Sequence, residues 1–434
     1  MDTNFYKTML HYFRQAWRLL RESPVLGVVS VLGTALAIGL ITITFASQRL
    51  IPEGEFYPAY KRDRMLFWNS VQIRNDSENS SSSSSVGLRI AKSFASIPSA
   101  EAVAISERFS DTYGFRRAGE GRELQRYILG TCADFFKVYD FDFLSGVPYT
   151  KEEVAAGSRV IVIGAQIARE FFGTDDAVGK ELLVDFTPMR VVGVVKDVSS
   201  YLSSVAANAW MPYTLSNSVK YGKEGLRGSL KVDFLAHSPA EFPVLRKEIA
   251  EVIQRLDAEI APEYISPNGQ PDELHTALHR LWSNVAPDME SIDRQFYVTL
   301  LLLLLVPGIN LVVISHARMR RRLHELGLRK AFGGTLWDIL WQVVQESLFY
   351  TLLGAILGLL FLLVATYGLQ SLFFWNFRWD VEGLRFSLPL STVFSWRVIL
   401  AAILSSLVLN VFSMLIPAWQ MARRDIVYSL SSKR

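Results

Sequence analysis

VLGVVSVLGTALAIGLITITFAS, residues 25–47, carries no charged side chain from end to end. Three further stretches share that property: 295–315, 347–377 and 398–422. Each reaches or passes the roughly 20 residues that a helix needs to cross ~30 Å of hydrocarbon. Elsewhere the chain has ordinary globular charge density. Its 434 residues are 50% apolar and its mean hydropathy is +0.21, so distribution rather than composition decides the class. Four buried helices of a soluble protein are the competing explanation, but such helices seldom run so long without a charge. The expected fold is a membrane protein with four transmembrane helices.

The first apolar run exceeds the roughly 7–15 residues of a signal-peptide core, and no small-residue cleavage site follows it closely. It is expected to stay as a span. The total charge of +3 says little, whereas its placement says more. Lys7, Arg14, Arg18 and Arg21 precede the first span; Arg318, Arg320, Arg321, Arg322, Arg329 and Lys330 lie between the second and third; Arg423, Arg424, Lys433 and Arg434 follow the fourth. By the positive-inside rule these segments are cytoplasmic, and residues from about 48 to 294 lie outside the membrane. The basic cluster near residue 320 abuts a span, so topology and anionic headgroups explain it without nucleic acid.

Residues 4–21 place Phe5, Met9, Phe13, Ala16 and Leu20 at spacings of three and four, with Lys7, Arg14, Arg18 and Arg21 opposite. That pattern suits a helix lying in the cytoplasmic interface, or one packed on a partner. The outer region alternates short β-branched runs with helices and reads as an α+β domain inserted between helices 1 and 2. Strands are expected at 102–106, 124–129, 160–163, 181–186, 191–195 and 229–235, and helices at 164–172 and 239–260. The last helix begins Ser238-Pro-Ala-Glu241, the pattern of a capping box with proline at the first helical position. The serine run at 79–85 is expected to be a mobile loop. The one cysteine, Cys132, allows no disulfide within these residues, so the outer domain must rest on its own core.

Catalytic motifs are weak. Gly173 stands six residues before Gly179 rather than five, and Glu181 replaces the magnesium-binding hydroxyl, so GTDDAVGKE is no phosphate loop. A helix-to-strand turn accounts for it. His275 and His279 share a helical spacing but lack a third ligand in sequence. No catalytic residue, metal or cofactor is expected.

The most specific stretch is 307–358, PGINLVVISHARMRRRLHELGLRKAFGGTLWDILWQVVQESLFYTLLGAILG. A span ends, a basic segment emerges, Gly333-Gly334 turns the chain, and Gly354 with Gly358 forms a small-xxx-small pair suited to close helix packing. This stretch resembles the permease family that includes MacB, LolC/LolE and FtsX, the mechanotransmission class of ABC transporters. Glu325, Leu326, Gly327, Leu328, Arg329, Lys330, Ala331, Phe332 and Gly333 fit the family pattern after its second span, with Gly334 where alanine is usual. The tail from Pro417 to Leu430 fits a second pattern, with Ile426 where proline is usual. RYILGTCADFFKVYDFDFLSG, SRVIVIGAQIAREFFGTDDAVGKEL, VVGVVKDV and WMPY resemble the MacB-type periplasmic core domain.

The resemblance implies a cytoplasmic amphipathic helix at 1–24, spans at 25–47, 295–316, 343–374 and 397–417, and a periplasmic core domain at 48–294 with an inserted subdomain at about 130–215. A coupling segment at 317–342, a short periplasmic loop at 375–396 and a cytoplasmic tail at 418–434 complete it. MacB carries a fused ATPase; these residues hold no Walker A loop, so a separate ABC ATPase is expected as partner. It would dock on Glu325, Arg329, Lys330, Gly333 and Gly334. Pro307-Gly308 is expected to act as a hinge and Gly354 with Gly358 as a packing site. A second permease copy or paralogue makes a dimer, membrane lipids surround it, and a periplasmic adaptor and outer-membrane channel are further partners the family allows. The implied role is export or extraction of a substrate from the inner membrane. The alternative is an FtsX-like regulator of a periplasmic cell-wall hydrolase, without transport.

Overall fold

The computed structural model describes residues 24–45, 57–117, 119, 123–199, 202, 204–220, 225–281, 284–321, 335–368 and 396–422. The chain divides into two units. One holds 1–51, 290–375 and 393–434; the other holds 52–289 and 376–392.

In the first unit, α1 (Pro24–Phe45), α2 (Met289–Arg321), α3 (Leu336–Gly368) and α4 (Trp396–Ala422) are long helices. α1 opens on Pro24, whose missing N–H costs nothing in a first turn. The helices expose large apolar side chains and bury small and polar ones beside apolar ones such as Ile38, Ile41 and Ala402. Val28, Leu32 and Leu36 of α1, Leu301, Leu305 and Ile309 of α2, and Leu404, Val408 and Phe412 of α4 are exposed. Ser30, Thr34, Thr351, Ser406, Asn410 and Ser413 are buried. A soluble helix turns its apolar stripe inward, and exposed apolar faces this extensive do not persist in water. The arrangement suits lipid, where small and polar residues mediate helix contact. By length and composition, one helix among the described residues, Gly27–Phe45, is long and apolar enough to cross a membrane. The apolar helical stretches Leu348–Val364 and Ala402–Ser413 are shorter.

The second unit is built on strands. β1 (Met65–Trp68), β2 (Val71–Asn75), β3 (Ser80–Val86) and β4 (Ala102–Glu107) come first. β5 (Asp111–Arg116), β6 (Leu124–Thr131), β7 (Phe143–Gly146), β8 (Val160–Gly164), β9 (Glu181–Val184), β10 (Thr187–Val195) and β11 (Ala209–Pro212) follow. β12 (Arg227–Gly228), β13 (Leu230–Leu235), β14 (Glu263–Ser266) and β15 (Asp272–Glu273) close the series.

They form two halves. In the first, the order β4-β13-β3-β2-β14 makes a sheet, with β1 on β13. Helices Leu88–Phe94 and Phe242–Ile260 bury Phe94, Leu245, Ile249 and Leu256. Phe94 packs between Trp68 and Phe234, with ring centroids 5.2 and 5.5 Å away. In the second half, β6, β5, β9, β10, β8 and β11 pair in turn, and β11 pairs back on β6. This is a closed six-stranded barrel with β7 added on β10. Phe115, Ile128, Ile161, Ile163, Leu182, Val191, Val194 and Met211 fill it, and Ile167 and Phe171 of helix Ala165–Phe172 join that core. Closure leaves few open edges, and a barrel this small is filled by its own side chains.

Two expectations are corrected. The serine run is not a loop: Ser80–Ser84 pair residue by residue with Asn75–Val71 of β2, and Ser85 with Gly228. A ladder supplied by neighbouring strands overrides the weak local preference of serine. The Ser238 capping box does not form. Pro239–Glu241 makes a 3₁₀ turn, the α-helix starts at Phe242, and the Ser238 side chain makes no cap bond. In that 3₁₀ turn the Glu241 N–H donates to the Ser238 carbonyl at 3.1 Å, so the donor a Ser238 side chain would serve is already taken. A capping box does form at Thr150, whose hydroxyl accepts from the Glu153 N–H while the Glu153 carboxylate accepts from the Thr150 N–H.

Candidate functional site

α1 and α3 meet through glycine. A Cβ placed on Gly354 would lie 2.5 Å from Thr34 Cγ2 and 3.2 Å from the Ala35 nitrogen. One placed on Gly358 would lie 2.9 Å from the Ala35 carbonyl oxygen and 3.1 Å from Ile38 Cβ. Gly39 faces Phe361 Cδ1 at 2.9 Å on the same terms. Without side chains at these points the two backbones come close enough for dispersion to hold them, which is the main attraction available between helices in lipid.

Beside this contact sits a polar knot. The Asn410 amide nitrogen on α4 donates to Thr34 Oγ1 on α1 at 3.2 Å and to Thr351 Oγ1 on α3 at 2.9 Å. Thr34 in turn donates to the Ser30 carbonyl at 2.9 Å. Asn410 is 1% exposed and Thr34 fully buried. Buried amides without partners are costly, more so without water, so the knot ties three helices in one register. No expectation for these residues came from the sequence; the available signal was a lone asparagine among the serines of a charge-free span.

Gly308 lies in α2, and a Cβ there would come 3.1 Å from Leu409 Cδ1 on α4. Pro307 lies in the same helix, which continues through it from Met289 to Arg321. Phe296 and Phe45 meet edge-to-face at 5.4 Å, and Leu300 and Leu304 pack on Ile38, Ile41 and Ala402. Glu325, Arg329, Lys330, Gly333 and Gly334 lie outside the described residues, as do 1–23 and the tail beyond 422.

In the outer unit, Gly173 adopts a left-handed conformation (φ 71°) that ends helix Ala165–Phe172, and Gly179 another (φ 82°) before β9. The GTDDAVGKE segment is therefore a helix-to-strand turn. His279 Nδ1 bonds the His275 carbonyl at 2.8 Å, and the two rings lie 4.8 Å apart. No group of three or more potential metal ligands forms among the described residues. Cys132 Sγ accepts from the Ile105 N–H at 3.2 Å, and burial pushes its thiol up to about 11.

Two family models match the chain. The MacB-like periplasmic core domain covers residues 25–252, and the FtsX-like permease C-terminal covers residues 297–426. The chain belongs to this MacB/FtsX-type family of ABC transporter permeases, and it is a membrane protein with an extracytoplasmic domain. Among relatives, the "Macrolide export ATP-binding/permease protein MacB" of Burkholderia cenocepacia is 26% identical over 71% of this chain and 42% of its own length. The "Probable export ATP-binding/permease protein MacB" of Pseudomonas entomophila is 22% identical over 96% of this chain and 58% of its own. The chain thus spans about half the length of such relatives. The crystal structure of the periplasmic region of MacB from Actinobacillus actinomycetemcomitans aligns over 46% of this chain and 88% of that one, at 17% identity and a TM-score of 0.33.

Proposed function

We propose that this chain is the non-catalytic permease subunit of an ABC transporter, driven by a separate ATPase that docks on Glu325, Arg329, Lys330, Gly333 and Gly334. The observation that supports this most is the placement of those residues inside the FtsX-like segment, on a chain whose other family segment is MacB-like. The proposal includes four inner-membrane spans, 25–47, 295–316, 343–374 and 397–417, with the domain at 48–294 in the periplasm. ATP binding closes two ATPases on the elbows of a permease dimer, and the spans pass that motion outward, so that substrate is exported or extracted from the periplasmic side. Glycines at the elbow allow close approach of a partner surface, and the flanking charges set register more than affinity. Pro307-Gly308 is the bending point of span two, since proline removes one backbone hydrogen bond there.

The test is co-purification from native membranes of the chain, of Gly333→Trp and of Arg329→Glu, with partners identified by mass. Wild type should retain an ATPase and Gly333→Trp should lose it. Retention at wild-type stoichiometry by both variants, each inserted normally, would overturn the docking assignment. Capture of a cell-wall hydrolase in place of exported substrate would favour the FtsX-like alternative. The purified chain alone should hydrolyse no ATP.

A further inference from the structure

The two halves of the outer unit share little backbone. Strand pairing between them, among the described residues, is the single pair Ser106↔Thr131, backed by the Cys132 N–H donating to the Ile105 carbonyl at 2.8 Å. Polar side chains complete one part of the junction. The Glu107 carboxylate on β4 accepts from the Gly130 N–H at 2.9 Å and from the hydroxyls of Ser216 and Ser218. Tyr139 donates to Asp233 Oδ2 at 2.6 Å, and Lys231 Nζ reaches the same oxygen at 2.5 Å and Tyr139 Oη at 3.1 Å. The Lys231 and Asp233 side chains are 2% and 0% exposed. Burial, then the Asp233 charge, hold the Tyr139 phenol well above its usual range, so it stays a donor.

Residues 135–141 form a wedge in this junction. Tyr139 faces β13, while Phe136 packs on Phe143 and Tyr149 at 5.6 and 5.2 Å, and Phe141 on Trp210 of the barrel at 5.1 Å. The segment that follows the first span in sequence grips this wedge. Lys61 pairs with Asp140 at 2.9 Å. Tyr57 packs on Phe141 at 6.1 Å and donates to the Lys196 carbonyl, just past β10, at 3.2 Å. Arg62 is buried and its charge acts on Tyr139. Two residues on, Arg64 donates to the His237 carbonyl at 2.7 Å, and its own carbonyl accepts from the Ala236 N–H at 2.9 Å, both at the end of β13. The strap therefore straddles the junction.

We propose that Tyr57–Arg64 is a strap that controls a hinge inside the outer domain: it holds the wedge 135–141, the barrel turns against the first half-sheet about Ser106–Thr131, and Tyr139–Asp233–Lys231 is the latch of the closed arrangement. This rests on the permease reading only in taking α1 as the source of the displacement. The polar contacts suit a hinge, because on opening their groups regain water, while the wedge keeps its aromatic packing on Phe143, Tyr149 and Trp210.

Hydrogen exchange on the full chain in lipid nanodiscs tests this without any partner protein, so it stands or fails apart from ATPase docking. The Gly130 and Cys132 amides are shielded only while the halves stay closed. Tyr139→Phe removes a hydrogen bond to a charged group, and junction opening should rise roughly tenfold or more. Exchange at 130–132 should rise by that factor, with 66–68 of the first half and 161–163 of the barrel unchanged. Tyr57→Ala combined with Lys61→Ala should raise exchange at 135–142 and, through it, at 130–132. If Tyr139→Phe leaves 130–132 at the wild-type rate, or raises exchange equally in all three regions, there is no hinge of this kind. If the strap variant leaves both 135–142 and 130–132 unchanged, the strap has no hold on the junction.

Discussion

At Asn410 one amide group serves two hydroxyls on two other helices. In membranes such bonds contribute about 0.6–2 kcal/mol, because an unfolded segment finds other partners. Asn410→Ala should therefore lower the thermal midpoint in detergent modestly, and Asn410→Asp should do no better, since it keeps the size but loses the donors. Gly354→Ala is expected to do more harm although it adds one methyl group. Its Cβ meets Thr34 Cβ at 2.6 Å and the α1 backbone at 3.2 Å, so the helices must part; overpacking of this kind costs about 1–3 kcal/mol. An Asn410→Ala midpoint shift larger than that of Gly354→Ala would reverse the ranking. Cys132 offers a third measurement. Its thiol is neutral until the pH nears about 11 in the fold, against 9.0 for an unperturbed thiol. The folded state holds its proton longer than the unfolded state. Its contribution to stability is thus complete below pH 9 and is lost as pH rises toward 11. Thiol-reactive dye should label the folded chain slowly at pH 8 and rapidly once denatured; equal rates would show an open thiolate instead.

Among elements, the contrast between Thr150 and Ser238 separates a pattern from its realisation. Both precede a glutamate by three residues, yet only Thr150 caps: the Glu153 carboxylate reaches back to the Thr150 N–H, whereas the turn after Ser238 is 3₁₀ and its Glu241 N–H is taken by the Ser238 carbonyl. Thr150→Ala should cost about 1 kcal/mol, seen as roughly fivefold faster amide exchange over 151–156, while Ser238→Ala should leave 242–247 near its original rate. A matching loss at both sites would mean the caps are equivalent. β3 makes the complementary point. Six consecutive serines carry no hydrophobic alternation, so periodicity gives no strand signal. The strand exists because β2 on one side and β12 with β13 on the other complete its ladder.

For the whole molecule the decisive measurement is topology. A reporter fused after Ser85 should read as periplasmic and one after Gly334 as cytoplasmic, from the Lys/Arg asymmetry of the flanking segments. A cytoplasmic signal at residue 85 would remove the basis for the entire arrangement. The exposed Leu301, Leu305 and Val408 argue for lipid around the long helices, and the Lys/Arg asymmetry alone sets the direction of the chain.

Sequence alone determined the class of this protein: charge-free runs must find lipid or a core, basic residues resist translocation, and the Glu325–Gly333 pattern with the tail around Pro417 is specific enough to name a family. It also located most central strands of the barrel, such as β8 and β10, because their runs of Val and Ile report burial on their own. Tertiary structure decided what depends on partners far apart in the chain. The closure of β11 on β6 joins residues 128 and 209, Asn410 meets Thr34, and Tyr139 finds Asp233. None of these pairs has a local signature, because a hydrogen bond or a ladder is a property of two segments, and one segment's sequence records only that it has something to satisfy.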